Sequence, residues 1–114
     1  MGYTNYWTHT NDFTDKEWLK VLEEYSYITD ILEAYIIEST IIESTYIDHD
    51  NVIIFNGLSK HDLDHETFVI NKYKKDNELT FCKTARKPYD IAVWHMLYFI
   101  HKETNAFSEI SRDR

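Results

Sequence analysis

The stretch "FTDKEW", residues 13–18, fixes where a long helix begins. Thr14 and Glu17 have the spacing of a capping box, in which each side chain reaches the other's unpaired backbone N–H. Phe13 and Trp18 flank the cap as a hydrophobic staple. Beyond it, Trp18, Val21, Leu22, Tyr25, Ile28, Leu32, Tyr35 and Ile36 recur at i, i+3, i+4 spacing over about five turns. Lys16, Lys20, Glu23 and Glu24 fall outside that stripe. A helix of this kind is amphipathic and must lay one face on other elements.

Those elements read as strands around a second helix. Residues 3–9, "YTNYWTH", are aromatic and Thr-rich and predict a strand. "NVIIFNG", 51–57, predicts a buried strand that ends in a turn at Asn56-Gly57. "ETFVINKY", 66–73, and "ELTFCK", 78–83, predict two more, and the short charged link 74–77 predicts that they form a hairpin. Pro88 opens a second helix, "PYDIAVWHMLYFIHKE", at a position where its missing N–H costs nothing. This helix is apolar nearly all round, which predicts a central, largely buried element with His95 as a hydrogen-bonded core residue. Lys102 and His101 suit its C-terminal end. "AFSEIS", 106–111, predicts a last strand. The economical arrangement is α+β, in two layers: an antiparallel sheet of about four to five strands with both helices on one face.

"IIEST" is written twice, at 36–40 and 41–45. A shift of five residues turns a helix face by about 140° and inverts strand parity, so one regular element cannot present both copies alike. The first helix is expected to end near the first copy. The second then falls in a turn or strand, and a local duplication without function accounts for the repeat.

Length and composition bound the function. The chain has 114 residues, enough for one domain with its own core. Its formal charge is -8. That argues against a duplex nucleic-acid binder, which needs a broad basic face. No apolar run approaches the roughly 20 residues of a membrane span. Cys82 is the only cysteine, so no internal disulfide forms, and a reducing cytoplasm is expected. The opening "MGYTNYWTHTND" is polar and aromatic, unlike a secretory leader.

Against that acidic background, "FCKTARKPYD", 81–90, gathers Lys83, Arg86 and Lys87 where a strand passes into a helix. A helix N-terminus offers free N–H groups and partial positive charge, a natural seat for phosphate or carboxylate. Arg86 can grip a phosphate through two N–H groups, and Thr84 adds a hydroxyl. Tyr89, Tyr6 and Trp7 supply stacking surfaces for a ring, and Asn56 and Thr67 supply polar contacts. The bland alternative is a solvated loop with surface lysines.

In "KHDLDHETF", 60–68, His61, Asp62, Asp64 and His65 are of types that ligate zinc or manganese. A polar loop lacks the fixed scaffold of a metal site, so neither metal nor cofactor is expected. If chemistry occurs, His65 and Glu66 are the acid–base pair. Cys82 beside Lys83 is first a small buried apolar residue and only second a nucleophile.

Taken together, "GYTNYW" near the start, "FNG" at 55–57, "HETF" at 65–68 and "FCKTARKPYD" at 81–90 resemble a group of small, poorly characterised proteins of tailed phages and some bacteria. The order of motifs is the same, and they span most of the chain. The duplicated IIEST and the loop 60–64 depart from that pattern. The resemblance implies a phage-type protein working in a bacterial cytoplasm and fixes no activity.

Three functions are therefore expected, in this order. The first is a binding module for a small anionic, nucleotide-like ligand, used to sequester a host defence signal. The second is an enzyme acting on such a ligand through His65 and Glu66. The third is an acidic protein–protein inhibitor of a host factor. A host protein or a second copy of the chain are the macromolecular partners considered.

Overall fold

The computed structural model describes residues 3–32, 52–58, 62–74 and 79–113. The end of the first helical stripe, both IIEST copies and His61 lie outside the described residues. The described residues form seven elements: β1 (Thr4–His9), α1 (Asp15–Leu32), β2 (Val52–Phe55), β3 (Phe68–Asn71), β4 (Leu79–Lys83), α2 (Asp90–Glu103) and β5 (Phe107–Arg112). The fold is α+β, with antiparallel strands throughout.

The start of α1 forms as its sequence dictates. Thr14 N–H donates to Glu17 Oε1 at 3.0 Å, and Glu17 N–H donates to Thr14 Oγ1 at 3.1 Å. Phe13 and Trp18 pack with ring centroids 5.0 Å apart. Glu17 also accepts from the Asn105 N–H at 3.1 Å, which ties this end of the helix to the turn before β5.

The strands divide between two sheets rather than one. β1 is central in a three-stranded sheet of order β4–β1–β5, and β2 pairs with β3 in a second sheet. The predicted 66–73/78–83 hairpin is thus corrected: β3 and β4 are neighbours in sequence but not in a sheet. Burial explains the choice. Pairing β2 with β3 sets Ile53 opposite Ile70 and Phe55 opposite Phe68, and all four are buried. β4 buries only Cys82 and leaves Leu79 and Phe81 exposed. It is an edge strand fit for β1, not a core strand.

Aromatic rings join the layers. Trp7 of β1 meets Phe68 of β3 edge-on at 5.3 Å and stacks near Phe107 of β5 at 6.1 Å. Tyr25 of α1 stacks on Phe55 of β2 at 5.8 Å. α1 packs on α2, and α2 packs on β1 and β5.

α2 departs from expectation in two respects. It begins at Asp90, after a tight turn in which Asp90 N–H bonds to Lys87 O at 2.9 Å, so Pro88 precedes the helix instead of opening it. It is also buried on one side only. Ala92, Val93, Met96, Leu97 and Ile100 face the core, while Ile91 and Tyr98 face solvent. His95 is accordingly not a core residue. It is half-buried and bridges to Glu24 of α1 at 2.5 Å. His101 contacts the Phe107 carbonyl through Nδ1 at 2.9 Å. Among the described residues no helix is long and apolar enough to cross a membrane.

His9 is buried against Phe13 and Phe107. Desolvation by burial lowers its pKa from the ordinary 6.5, against a smaller opposing effect of its backbone bond with Asn11. The unfolded chain therefore binds this proton more readily than the folded one. The contribution of His9 to stability is complete above pH 6.5 and declines as the pH falls below it. Urea unfolding at pH 7.5 and 5.5 checks this: the wild type is expected to lose more stability between the two than His9→Gln does.

Candidate functional site

The β4–α2 junction is built around one carboxylate. Asp90 is buried, 8% exposed, and opens α2. Its Oδ1 accepts from Asn5 Nδ2 at 2.6 Å and from Thr84 Oγ1 at 2.6 Å. Its Oδ2 accepts from the Arg112 guanidinium. The donors come from β1, from the basic turn 83–87 between β4 and α2 (the knuckle) and from β5. A buried carboxylate is tolerable only when it is paired and hydrogen-bonded, and a negative charge at a helix N-terminus is favourable.

The knuckle itself is held in an unusual backbone. Ala85 and Arg86 both have positive φ, 53° and 58°. Two consecutive positive values are the pattern of a type I′ turn, closed here by Lys87 N–H to Thr84 O at 3.0 Å. Residues with a Cβ adopt this conformation only at a cost of about 1–2 kcal/mol each, so the surroundings must impose it. They do so through the Tyr3 carbonyl, which accepts from Thr84 N–H at 2.9 Å and from Ala85 N–H at 3.4 Å. The turn lays the Arg86 guanidinium over the Tyr3 ring at 4.1 Å. Arg112 lies near the same ring at 5.3 Å and over Trp94 at 4.7 Å.

The loop before β3 closes onto this junction. Tyr89 Oη donates to Glu66 O at 2.5 Å, Lys83 N–H donates to Glu66 Oε1 at 2.8 Å, and Glu66 N–H donates to Lys83 O at 3.2 Å. Lys87 Nζ donates to Asp62 O at 2.8 Å. The loop is shaped by Asn56, whose side chain accepts from Gly57 and His65 N–H and donates to His65 O and Thr67 Oγ1. Gly57 is required by close approach: a Cβ there would stand 2.0 Å from Leu63 O.

The expected ligand residues therefore separate into two sets. Thr84, Tyr89 and Trp7 are buried at 0%, 0% and 3% exposure and serve the fold. Strand alternation turns Trp7 inward and Tyr6 outward. Asn56 and Thr67 hold the loop, and Lys87 is drawn onto it. The α2 N-terminus, expected to seat an anion, is answered by the protein's own Asp90. Lys83 and Arg86 remain exposed, and among the described residues neither has a carboxylate partner for its side chain.

Lys83 belongs to a second feature. Tyr6 and Phe81 are direct cross-strand partners on the outward face of the three-stranded sheet, and Phe81 is 52% exposed. Lys83 Nζ lies 5.9 Å from the Phe81 ring. A depression of about 370 Å³ along this face is lined by Tyr6, Thr8, Leu79, Glu109 and Ser111, among others.

Of the catalytic candidates, His65 is exposed and the Glu66 carboxylate caps the Lys83 N–H. Asp62 and Asp64 do not converge with them: among the described residues no group of three metal-ligating side chains forms. Cys82 is buried, and desolvation pushes its thiol up to about 12, which opposes a nucleophilic role. Sequence reasoning missed Asn5 and Phe81, although the aromatic opening motif and the basic segment contain them. It also missed Arg112, for which no local signal exists.

Comparison with protein-family models, with curated proteins and with solved structures finds no match.

Removing the central carboxylate leaves Arg112 facing a buried, uncompensated site. Asp90→Ala is expected to lower stability by about 3 kcal/mol. Urea denaturation measures it, and Asp113→Ala, at a more exposed carboxylate, is the control.

Proposed function

We propose that the protein is a phage-type binder of a small anionic, nucleotide-like ligand. Lys83 and Arg86 hold the phosphate, and a flat ring stacks on the outward pair Tyr6 and Phe81. The observation that carries the reading is the position of Lys83. This cation, without an acidic partner for its side chain among the described residues, shares a face with two exposed or half-exposed aromatic rings, in a chain whose net charge is -8. Stacking on an aromatic side chain contributes about 1–3 kcal/mol per base, and a charge-assisted phosphate contact a comparable amount.

The strained turn at Ala85 and Arg86 supports the same reading, because backbone strain of this kind gathers at ligand-binding positions. The motifs that resemble phage and bacterial proteins meet at this junction. In a bacterial cytoplasm, holding a signalling nucleotide away from its receptor would blunt a host defence.

The test is direct. The protein is incubated with mono-, di- and cyclic nucleotides and ADP-ribose derivatives and then removed by filtration. The filtrate is chromatographed, as is the material that the protein releases on heating. One nucleotide is expected to disappear from the filtrate and return unchanged on heating. Arg86→Glu and Lys83→Glu are each expected to weaken its binding by roughly tenfold or more while the circular dichroism spectrum stays native. A new product peak would instead mean turnover, with His65→Ala as the next variant. Unaltered affinity in both charge reversals would remove this site.

A further inference from the structure

The outward face of the three-stranded sheet is ordered in rows, because directly opposed residues of paired strands project to the same side. Its middle row is Phe81, Tyr6 and Ser111. The row at one side of these holds Lys83, and the row at the other side is Leu79, Thr8 and Glu109. Lys83 and Leu79 are four residues apart on β4, about 13 Å for a strand. That is the span of an extended nucleoside monophosphate. With its phosphate at Lys83 and its ring on Tyr6 and Phe81, the ligand proposed above points the far edge of the ring at the row of Glu109.

Glu109 is exposed and lines the depression of about 370 Å³ on this face. Among the described residues no cation pairs with its carboxylate. The carboxylates at the Lys83 end are already engaged: Glu66 accepts from Lys83 N–H at 2.8 Å, and Asp113 accepts from Thr4 N–H at 2.9 Å. An ionised carboxylate only accepts, through two oxygens side by side. It matches a ring edge with two adjacent N–H donors and rejects one that sets a bare nitrogen or a carbonyl against it. Guanine presents such a pair, at N1 and its exocyclic amine. Adenine and cytosine set an amine beside a bare ring nitrogen, and uracil sets one N–H between two carbonyls. Sugar hydroxyls donate as well, but the sugar lies between phosphate and ring, on the Lys83 side of Tyr6.

We infer that Glu109 makes this face selective for guanine nucleotides, its carboxylate accepting from N1–H and the amine of the base. The inference rests on the nucleotide reading above and adds the identity of the base.

Isothermal titration of the full chain with GMP, IMP and AMP, and with cyclic di-GMP and cyclic di-AMP, tests it. Within each series sugar and phosphate are the same, and only the ring differs. The wild type is expected to bind each guanine nucleotide roughly tenfold or more tightly than its adenine counterpart. IMP, which keeps N1–H and lacks the amine, is expected between GMP and AMP. Glu109→Gln exchanges one acceptor oxygen for an N–H donor, the pattern that matches adenine. It is expected to weaken GMP by roughly tenfold and to bring AMP level with it, while the circular dichroism spectrum stays native. Equal wild-type affinity for guanine and adenine nucleotides, or a GMP affinity unmoved in Glu109→Gln, would overturn the guanine assignment. If Lys83→Glu still weakens the binding in that case, the phosphate site stands without it. Binding of none of the five, or binding indifferent to Lys83→Glu, would remove this inference together with the reading on which it rests.

Discussion

The carboxylate of Asp90 is the point on which the structure turns. Its three donors, Asn5, Thr84 and Arg112, are far apart in sequence, and the bonds join β1, the knuckle and β5 to the first residue of α2. With three donors the buried charge is compensated; with fewer its desolvation would oppose folding. The geometry beyond it follows. Thr84, anchored by its hydroxyl and by the Tyr3 carbonyl, begins the strained turn, and the turn aims Arg86 at the Tyr3 ring. Arg112, fixed by Asp90, lies near the same ring and over Trp94. A small acidic protein thereby keeps two cations, Lys83 and Arg86, exposed beside aromatic surface.

The same carboxylate changes how the basic segment is understood. A strand-to-helix junction rich in Lys and Arg suggests an anion on the helix N-terminus. Here Asp90 occupies that position, and the first amides of α2 bond back to the preceding turn. Any phosphate must be gripped by side chains on the flank, not cradled by the helix end. That moves the proposed site toward the outward sheet face, where Phe81 and Tyr6 lie. It also separates the site from Cys82, whose raised thiol pKa fits burial beneath the sheet.

Local signals were legible in the sequence, and long-range ones were not. The capping box and staple at residues 13–18 act within one turn, so spacing alone fixes them. β1, β2 and β5 were legible because their aromatic and β-branched content is local as well. The partner of β3 was not legible. A short charged link favours a hairpin with β4, but burial of Ile53, Phe55, Phe68 and Ile70 together favours β2, and only the tertiary core expresses that preference. The residue types of the candidate site were legible and their roles were not. Thr84 and Tyr89 have the right chemistry for a ligand, yet each bonds a group of the protein itself: Asp90 of the same segment in one case, the distant Glu66 carbonyl in the other. Arg112 ends β5, one residue beyond the predicted strand, and its role carries no local sequence signal. The fold alone brings it to Asp90.

A double-mutant cycle between Asp90→Asn and Thr84→Val, read by urea unfolding, tests the central claim most directly. If the carboxylate organises the knuckle, removing either partner disables the other, and the two losses are expected to fall short of additivity by about 1–2 kcal/mol. Losses that add to within about 0.3 kcal/mol would mean that Asp90 and Thr84 stabilise the protein independently, and the account of the junction would be wrong.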